Sequence, residues 1–207
     1  MPNIHLPTRQ SVGDRFRQCT WIIVAAIAIL VVTAVGELWM GRLPLGPDGR
    51  FGLWEGNIWS SEQSQRFADP YTFSHAIHGM LFYGFLWLVV PQMHVRHRFV
   101  CALALEGAWE LLENSPLIIN RYREVTIALG YVGDSVFNSL SDILFAGLGF
   151  LLTWRARIWV TVVAIIAMEI GTALAVRDNL TLNIIMLVYP IDAIKAWQTA
   201  GCPLPQS

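Results

Sequence analysis

The sequence predicts an all-α polytopic bundle of transmembrane helices with six spans, or five as the alternative. Of its 207 residues, 55% are hydrophobic and only 14% are charged, whereas a soluble domain carries about a quarter charged residues. The apolar residues come in runs of about 20, the length that crosses a bilayer core of ~30 Å. Several of the nine tryptophans end these runs, as residues at a membrane interface do.

The first apolar run, from Trp21 to about Trp39, follows a polar segment at residues 1–20 that is expected to be cytoplasmic. We interpret the run as a retained anchor. A cleaved signal peptide is the alternative, because residues 34–36 form a small-x-small triplet. The single transmembrane domain is then expected over residues 21–198, with a C-terminal tail at 199–207.

A polar loop at residues 41–69 precedes the second predicted span, which runs from about Pro70 to Val90. Asp69 is predicted to be the N-cap of this helix, and Pro70 suits the first helical position. The loop is expected on the outer side of the membrane.

The other spans follow from the same apolar pattern. A proline at position 116 is expected to kink or end the third span, and Pro190, Asp192 and Lys195 make the last one the least certain to cross fully. The predicted ranges are about 99–119, 132–154, 158–176 and 180–197.

The short linkers at 91–98 and 155–157 are basic, and so is the segment before the first run. Basic residues concentrate on the cytoplasmic side of membrane proteins, so the N-terminus is predicted to be cytoplasmic. The formal net charge of −1 predicts no nucleic-acid partner. Three cysteines without framework spacing argue against a disulfide scaffold.

With this orientation, the ionisable residues of four spans share one depth, in the outer half of the bilayer. Charged groups inside a membrane are costly and mark functional sites by default. The second span carries His75 and His78, and the third carries Glu110, Glu113 and Asn114, with Glu106 deeper in the membrane. The fourth carries Asp134 and Asn138, with Asp142 deeper, and the fifth carries Glu169.

Helical spacing also places these residues on stripes. The three glutamates fall within about 60° of each other at ~100° per residue, and Asp134, Asn138 and Asp142 lie at i, i+4 and i+8. The two histidines lie at i and i+3. We therefore expect three polar stripes to face one another around a cavity.

This layer predicts a site for hydrolysis or transfer on a lipid or lipid-linked substrate. Imidazole and carboxylate ligands suit a divalent metal such as Zn, Fe or Mn, which activates water. The cofactor stays open at this stage, as does whether the chain is an enzyme. Glu110, Asp134 and Glu106 are the predicted catalytic residues, and His75, His78 and Glu113 the predicted metal ligands.

An anionic head group is expected to be held by basic and amide side chains beside the layer, since guanidinium groups bind phosphate or carboxylate bidentately. Membrane lipids are thus the predicted partners, and a larger membrane complex is a further expectation. The predicted substrate-binding residues are Arg121, Arg123, Arg177, Asn114 and Asn138.

Three alternatives stay open. The arginines and glutamates can pair with each other and merely lock the bundle, with Asp134 serving only as a helix N-cap. The chain can be a structural or assembly subunit of a membrane complex. It can also be a small transporter with a glutamate proton relay, although the inner halves of the spans carry few ionisable residues.

Four stretches resemble an uncharacterised family of bacterial multi-pass inner-membrane proteins, known only as a family of unknown function. They are DPYTFSHAIHG, WELLENSPLIINRYRE, YVGDSVFNSLSDI and RDNLTLNIIMLVYPIDAIKAWQ. The resemblance covers most of residues 41–198. It implies location in the bacterial inner membrane and implies no activity.

A weaker similarity links GDSVFNSLSDI to VanZ-like membrane proteins, as an analogy of fold alone. The chain also departs from its closer family. Members carry a Cys-x-Cys near the start of the outer loop, where this chain reads GRFGLWEGN. The resemblance therefore implies no metal role for this loop.

Overall fold

A computed structural model describes residues 12–126 and 130–201, with side chains from Thr20 onward. The predictions for the N-terminal segment before residue 12 and for the tail from residue 202 lie outside the described residues. Over the described ranges the chain is entirely helical and contains no strand, apart from an isolated bridge between Trp54 and Ala68.

Eight helices make up the described chain. In order they are α1 (Val12–Trp39), α2 (Thr72–Val89), α3 (Val95–Glu113), α4 (Pro116–Val125), α5 (Val136–Arg155), α6 (Ile158–Val176), α7 (Leu180–Val188) and α8 (Asp192–Thr199).

Three of these helices are long and apolar enough to cross a membrane, which is consistent with membrane association: Thr20–Trp39 of α1, Val136–Arg155 of α5 and Ile158–Val176 of α6. The helices α2 and α3 have 18 and 19 residues, which is also a spanning length. They fall short on composition, because they carry the histidines and glutamates of the predicted layer.

The prediction of one last span over residues 180–197 is wrong. The chain forms α7 and α8 instead, interrupted at Pro190. Proline lacks a backbone N–H and disfavours helical backbone at the residue before it, and Tyr189 is accordingly extended, with φ −141° and ψ 89°. The nine residues of α7 extend only ~14 Å, about half of a bilayer core.

The third predicted span also ends early, as Pro116 indicated. The helix α3 ends at Glu113, and α4 begins at Pro116, which occupies its first turn. Asn114 and Ser115 form the break between them. The short helix α4 can therefore take a direction of its own, between α3 and α7.

The starts of α2 and α5 differ from their predicted form. The helix α2 begins at Thr72, so Pro70 lies in the preceding turn, where Asp69 accepts the backbone N–H groups of Tyr71 at 2.7 Å and Thr72 at 3.2 Å. The N-cap of α5 is Ser135, whose hydroxyl accepts from the backbone N–H of Asn138. Reading Asp134 as that N-cap is thus wrong, and its carboxylate is available for other contacts.

The helices α2 and α5 are the most closely packed pair in the bundle. A Cβ on Gly79 of α2 would lie 1.8 Å from the carbonyl oxygen of Ala146, and one on Gly149 of α5 would lie 2.0 Å from that of Ala76. Small residues allow this approach, which is typical of helix pairs in membranes. The resulting contact fixes the histidines of α2 relative to the aspartate of α5.

The loop at 41–69 is hydrogen-bonded to the start of α5. The backbone N–H of Ser135 donates to the carbonyl of Ser64 at 3.0 Å, and the Gln65 side chain donates to the carbonyl of Gly133 at 2.8 Å. At its surface, Arg66 pairs with Asp48 at 2.6 Å, and this hydrogen bond holds the pKa of Asp48 below its usual value. The loop thus covers one end of the bundle.

We predict that Gly79→Ala lowers the free energy of unfolding by about 1–3 kcal/mol, because the added methyl group overpacks the contact with the backbone of Ala146. The measurement is thermal unfolding of the full chain in detergent. The matched control is Gly84→Ala on the same helix, where a Cβ meets no atom within 4 Å. Equal stability of the two variants would contradict the close packing of α2 on α5.

Candidate functional site

A cavity of about 460 Å³ lies between α2, α3, α5 and α7 and beneath the loop at 41–69. Its lining combines aliphatic and aromatic side chains with ionisable ones. The ionisable or amide residues that line it are Gln63, Asp69, His75, His78, Glu113, Asp134, Asn138, Asp142, Asp178 and Asn183.

Two histidines of α2 meet a carboxylate of α3 in the protein interior. The Nδ1 atom of His75 lies 2.7 Å from Oε1 of Glu106, and Nδ1 of His78 lies 3.1 Å from the same oxygen. Glu106 is fully buried. The spacing of the histidines at i and i+3 puts both on one face of α2, and the stripe on α3 faces them, as predicted.

The other two glutamates of α3 also lie close to His75. Its Nδ1 atom is 3.2 Å from Oε1 of Glu110, a pairing distance that lacks hydrogen-bond geometry. The hydroxyl of Tyr122 is close enough to Glu113 to interact with it. On α5, an oxygen of Asp142 lies 3.8 Å from Nε2 of His75, so the third stripe also faces the first.

Several oxygens of this group have no hydrogen-bond partner among the described residues. They are both carboxylate oxygens of Glu110, Oε2 of Glu113 and Oδ1 of Asp142. Glu110 is fully buried and Asp142 is 3% exposed. An unpartnered buried carboxylate is costly, so these oxygens call for a proton or a cation beside them.

The ligand atoms are spaced closely enough for one ion to bind them. One atom from each of His75, His78 and Glu106 lies within 4.8 Å of the others, and the same holds for His75, Glu110 and Glu113. The two triads share His75. We name these five residues the His–Glu cluster; its imidazole and carboxylate donors fit Zn, Fe or Mn.

Asp134 lies next to the cluster in a hydrogen-bond network with Asn114. The Asn114 amide donates to Oδ2 of Asp134 at 2.9 Å and accepts the backbone N–H of Asp134 at 2.7 Å. The hydroxyl of Tyr131 donates to Oδ1 at 2.9 Å. These hydrogen bonds orient the carboxylate of Asp134, which lines the cavity. Asn114 thus positions Asp134 and is not itself a lining residue.

The three arginines predicted to hold an anionic head group are not among the cavity-lining residues. Arg121 donates to the carbonyl of Leu187 at 3.0 Å, and Arg123 donates to the carbonyl of Tyr131 at 2.5 Å. Arg177 donates to the carbonyl of Trp197 at 3.0 Å. Within the described residues, the cluster carboxylates form ion pairs with histidines and not with arginines. Substrate binding by the arginines stays a prediction.

Two further polar residues have structural contacts. The Asn138 amide lines the cavity and donates to the carbonyl of Arg66 at 2.8 Å, which connects α5 to the loop. Glu169 accepts the backbone N–H groups of Leu180 and Thr181, both at 3.1 Å. It therefore caps α7 and does not join the cluster, although the sequence places it at the same depth.

Asp178 connects four parts of the chain, which sequence reasoning missed. It accepts from the hydroxyl of Tyr71 at 3.0 Å, from the amide of Asn183 at 3.1 Å and from that of Gln198 at 2.9 Å. It also accepts from the backbone N–H of Asn179. The start of α2, the α6–α7 turn, α7 and α8 thus meet on one buried carboxylate.

Glu37 near the end of α1 was also missed. It is fully buried, and its oxygens lack a partner with hydrogen-bond geometry, although Ser139 is close enough to interact with it. Glu110 and Asp134 are its acidic neighbours. An acidic residue within the last turn of the first apolar run was the available signal, because it shares the depth of the other carboxylates.

Comparison with known proteins finds relatives without an assigned activity. A family model described as "protein of unknown function (DUF2585)" matches residues 37–200. A UPF0314 protein of Sphingopyxis alaskensis is 50% identical over 181 residues, 87% of this chain and 95% of the relative. One from Rhizobium etli is 48% identical over 184 residues, 89% and 94% of the two chains. No solved structure matches the chain.

We predict that Asp178→Asn flattens the pH dependence of stability between about pH 4 and pH 6.5. Burial, with a smaller contribution from Glu169, raises the pKa of Asp178 from 3.8 to about 6, although its hydrogen bonds act in the opposite direction. The folded chain then holds this proton more tightly than the unfolded chain. The resulting stabilisation is complete below pH ~4 and is lost as the pH rises through ~6.

The measurement is the thermal midpoint of wild type and variant over this pH range. The change in the free energy of unfolding is at most ~3 kcal/mol, because each pKa unit contributes ~1.4 kcal/mol. The control is Asp48→Asn, whose carboxyl has a lowered pKa and should leave this part of the profile unchanged. Parallel profiles for wild type and Asp178→Asn would show that Asp178 does not titrate there.

Proposed function

This chain belongs to the DUF2585 family of proteins of unknown function, and from that premise we propose that it is a multi-pass inner-membrane protein with a metal-dependent site for hydrolysis or transfer on a lipid-linked substrate. The family resemblance in the sequence is confirmed by the relatives in bacteria. The observation that carries the proposal is the His–Glu cluster, of which His75, His78 and Glu113 line the cavity.

The cluster supports metal binding because its charges are otherwise unbalanced. Glu106 is paired with two histidines, whereas Glu110 shares His75 with it as an ion-pair partner and has neither oxygen in a hydrogen bond among the described residues. A divalent ion beside His75 would neutralise these carboxylates and complete their coordination. Either triad offers three protein ligands, the number in catalytic zinc sites that leave one position open.

A metal held there supplies a water molecule of lowered pKa and polarises a carbonyl or phosphoryl oxygen. We assign Asp134 the role of general base: it lies outside both triads, lines the cavity and is oriented by Asn114 and Tyr131. Glu106 and Glu110 contribute negative charge beside His75 and orient its imidazole ring. The apolar part of the lining suits the chain of a lipid.

The placement of the short elements supports five membrane crossings by α1, α2, α3, α5 and α6, with the N-terminus in the cytoplasm. The basic linkers at 91–98 and 155–157 then share the cytoplasmic side. The loop at 41–69 and the helices α4 and α8 share the outer side, and α7 lies beside them at the depth of the outer leaflet. Contacts between those elements agree, since Lys195 of α8 donates to the carbonyl of Glu124 of α4, and Arg121 of α4 donates to the carbonyl of Leu187 of α7.

We predict that the full chain, purified in nanodiscs, binds about one divalent ion of Zn, Fe or Mn per molecule. His75→Ala should weaken that affinity by more than about tenfold, because it removes a ligand common to both triads. Metal content by elemental analysis and the metal-dependent rise in thermal midpoint measure this. The control is His97→Ala, which removes a histidine that contacts Trp21 outside the cavity and should bind metal as wild type does.

Metal-free wild type that also gains no stability from added Zn, Fe or Mn would refute the metal site. A stoichiometric protein partner, together with tolerance of His75→Ala, would then identify the chain as an assembly subunit.

We predict that metal-loaded protein incubated with bacterial inner-membrane lipid extract in H₂¹⁸O releases a product that contains ¹⁸O. Asp134→Asn should retain the metal and lower this release by about 10²–10⁴-fold, the range expected for loss of a general base. Mass spectrometry of the products is the measurement, and chelator-treated wild type is the blank. Release by Asp134→Asn at the wild-type rate would remove Asp134 from the mechanism.

A further inference from the structure

We infer that the cavity opens sideways to the lipid between α3 and α7, and that it admits a long-chain lipid whose head group carries a protonated amine. Binding of this lipid stands on the shape and chemistry of the cavity alone. Its hydrolysis rests on the proposed function.

The opening is indicated by lining residues that are also exposed. On α3, Leu105 is 41% exposed and Leu112 is 45% exposed, and on α7, Ile184 is 51% exposed. All three line the cavity, so they mark its mouth. The helix α3 packs on α1, α2, α4 and α5, whereas α7 packs chiefly on α4, which leaves a gap between α3 and α7.

The rim of this mouth is apolar. Leu105, Ala108 and Leu112 lie at i, i+3 and i+7 on one stripe of α3, and Ile184 faces them from α7. A mouth that opened to water would normally carry a polar rim. Lipid is therefore the medium that this opening meets, and an aliphatic chain is the part of a substrate that fits it.

The polar end of the cavity is matched to a hydrogen-bond donor. Three residues that line it have a buried oxygen without a hydrogen-bond partner: Glu113 (Oε2), Asp142 (Oδ1) and Asn183 (Oδ1). The Asn183 amide donates to Asp178 at 3.1 Å, which turns its carbonyl oxygen away from that bond. Among the fully buried side-chain atoms of the described lining residues, those without a partner are all acceptors.

Charge and aromatic content favour an amine over other donors. The described lining contains several carboxylates and no arginine or lysine. These carboxylates would repel an anionic head group, which a bound metal would attract. Aromatic rings beside carboxylates are the recurring environment of bound ammonium groups, because the ring face attracts a cation. The aromatic lining residues are Trp59, Tyr71, Phe82, Trp109, Tyr122 and Tyr131.

Asp142 anchors the inner end of the proposed lipid site. Its side chain is 3% exposed and lines the cavity, with Oδ1 unpartnered. It belongs to neither metal triad. An ammonium group beside Asp142 would satisfy Oδ1, on a carboxylate that supplies no ligand to either triad.

The test uses three photoreactive probes with the same diazirine-bearing sixteen-carbon chain, ending in an amine, an alcohol or a phosphate. Full-length protein in nanodiscs is irradiated with each probe, and mass spectrometry maps the labelled residues. We expect the amine probe to label the facing segments 105–112 and 184–187 about tenfold more than the other two probes do.

Two variants separate the entrance from the head-group site. Ile184→Trp should block the gap and lower this labelling about tenfold, whereas Ile166→Trp, at a position 52% exposed on α6, should label as wild type does. Asp142→Asn keeps the shape of the side chain and should abolish the preference for the amine. Thermal unfolding of each variant verifies that it is folded.

Each remaining outcome decides one claim. Equal labelling by the phosphate and amine probes overturns the head-group assignment. Labelling spread evenly over the lipid-facing surfaces of α1 and α6, and unaffected by Ile184→Trp, overturns the entrance. Repeating the experiment after chelation separates this inference from the proposed function. Amine labelling that persists after chelation shows that lipid binding does not need a metal. If the protein also never binds metal, the metal site alone is refuted.

Discussion

The buried contact of His75 with Glu106 is the constraint on which the rest of the structure depends. Burying a carboxylate without compensation is costly, and here Glu106 is completely buried with two imidazoles around one of its oxygens. That arrangement requires α2 and α3 to hold a fixed register. It also places the remaining carboxylates of α3 where only one shared histidine can balance them.

The register is maintained by close packing on one side and by polar connections on the other. Gly79 and Gly149 let α2 and α5 approach to backbone contact, which leaves little freedom for the histidines to move away. At the other end, Asp178 joins the start of α2 to α7 and α8. Rigid scaffolding of this kind is what a preorganised site requires, and it explains why so many polar groups lie outside the cluster itself.

Helical periodicity and depth were sufficient to group the histidines with the glutamates. His75 and His78 share a face at i and i+3, and so do Glu106, Glu110 and Glu113, and the structure brings the two faces together. Depth was a weaker guide, since Glu169 has the same predicted depth but caps α7. Depth locates a residue along one axis, whereas the direction of its side chain depends on the neighbouring helix.

Errors concentrated where short local signals competed with hydrophobic runs. The run at 180–197 was interpreted as one span, but Pro190 divides it. The N-cap of α5 is Ser135 and not Asp134. The sequence did not distinguish them, because both residues have side chains that can cap a helix and only the backbone geometry decides between them. The arginines near the site each donate to a backbone carbonyl, a contact that leaves no pattern in a sequence, and substrate binding by them stays a prediction.

By itself, the sequence determined the helical class, the family and the helix faces that carry the histidines and glutamates, because periodicity, composition and local motifs are carried by neighbouring residues. Only the tertiary structure decided that His75 is shared between two groups of carboxylates, that Asp178 joins four segments, and that the cavity has an apolar mouth between α3 and α7. Those features depend on distances between residues up to about a hundred positions apart. Packing sets such distances, and no local pattern encodes them.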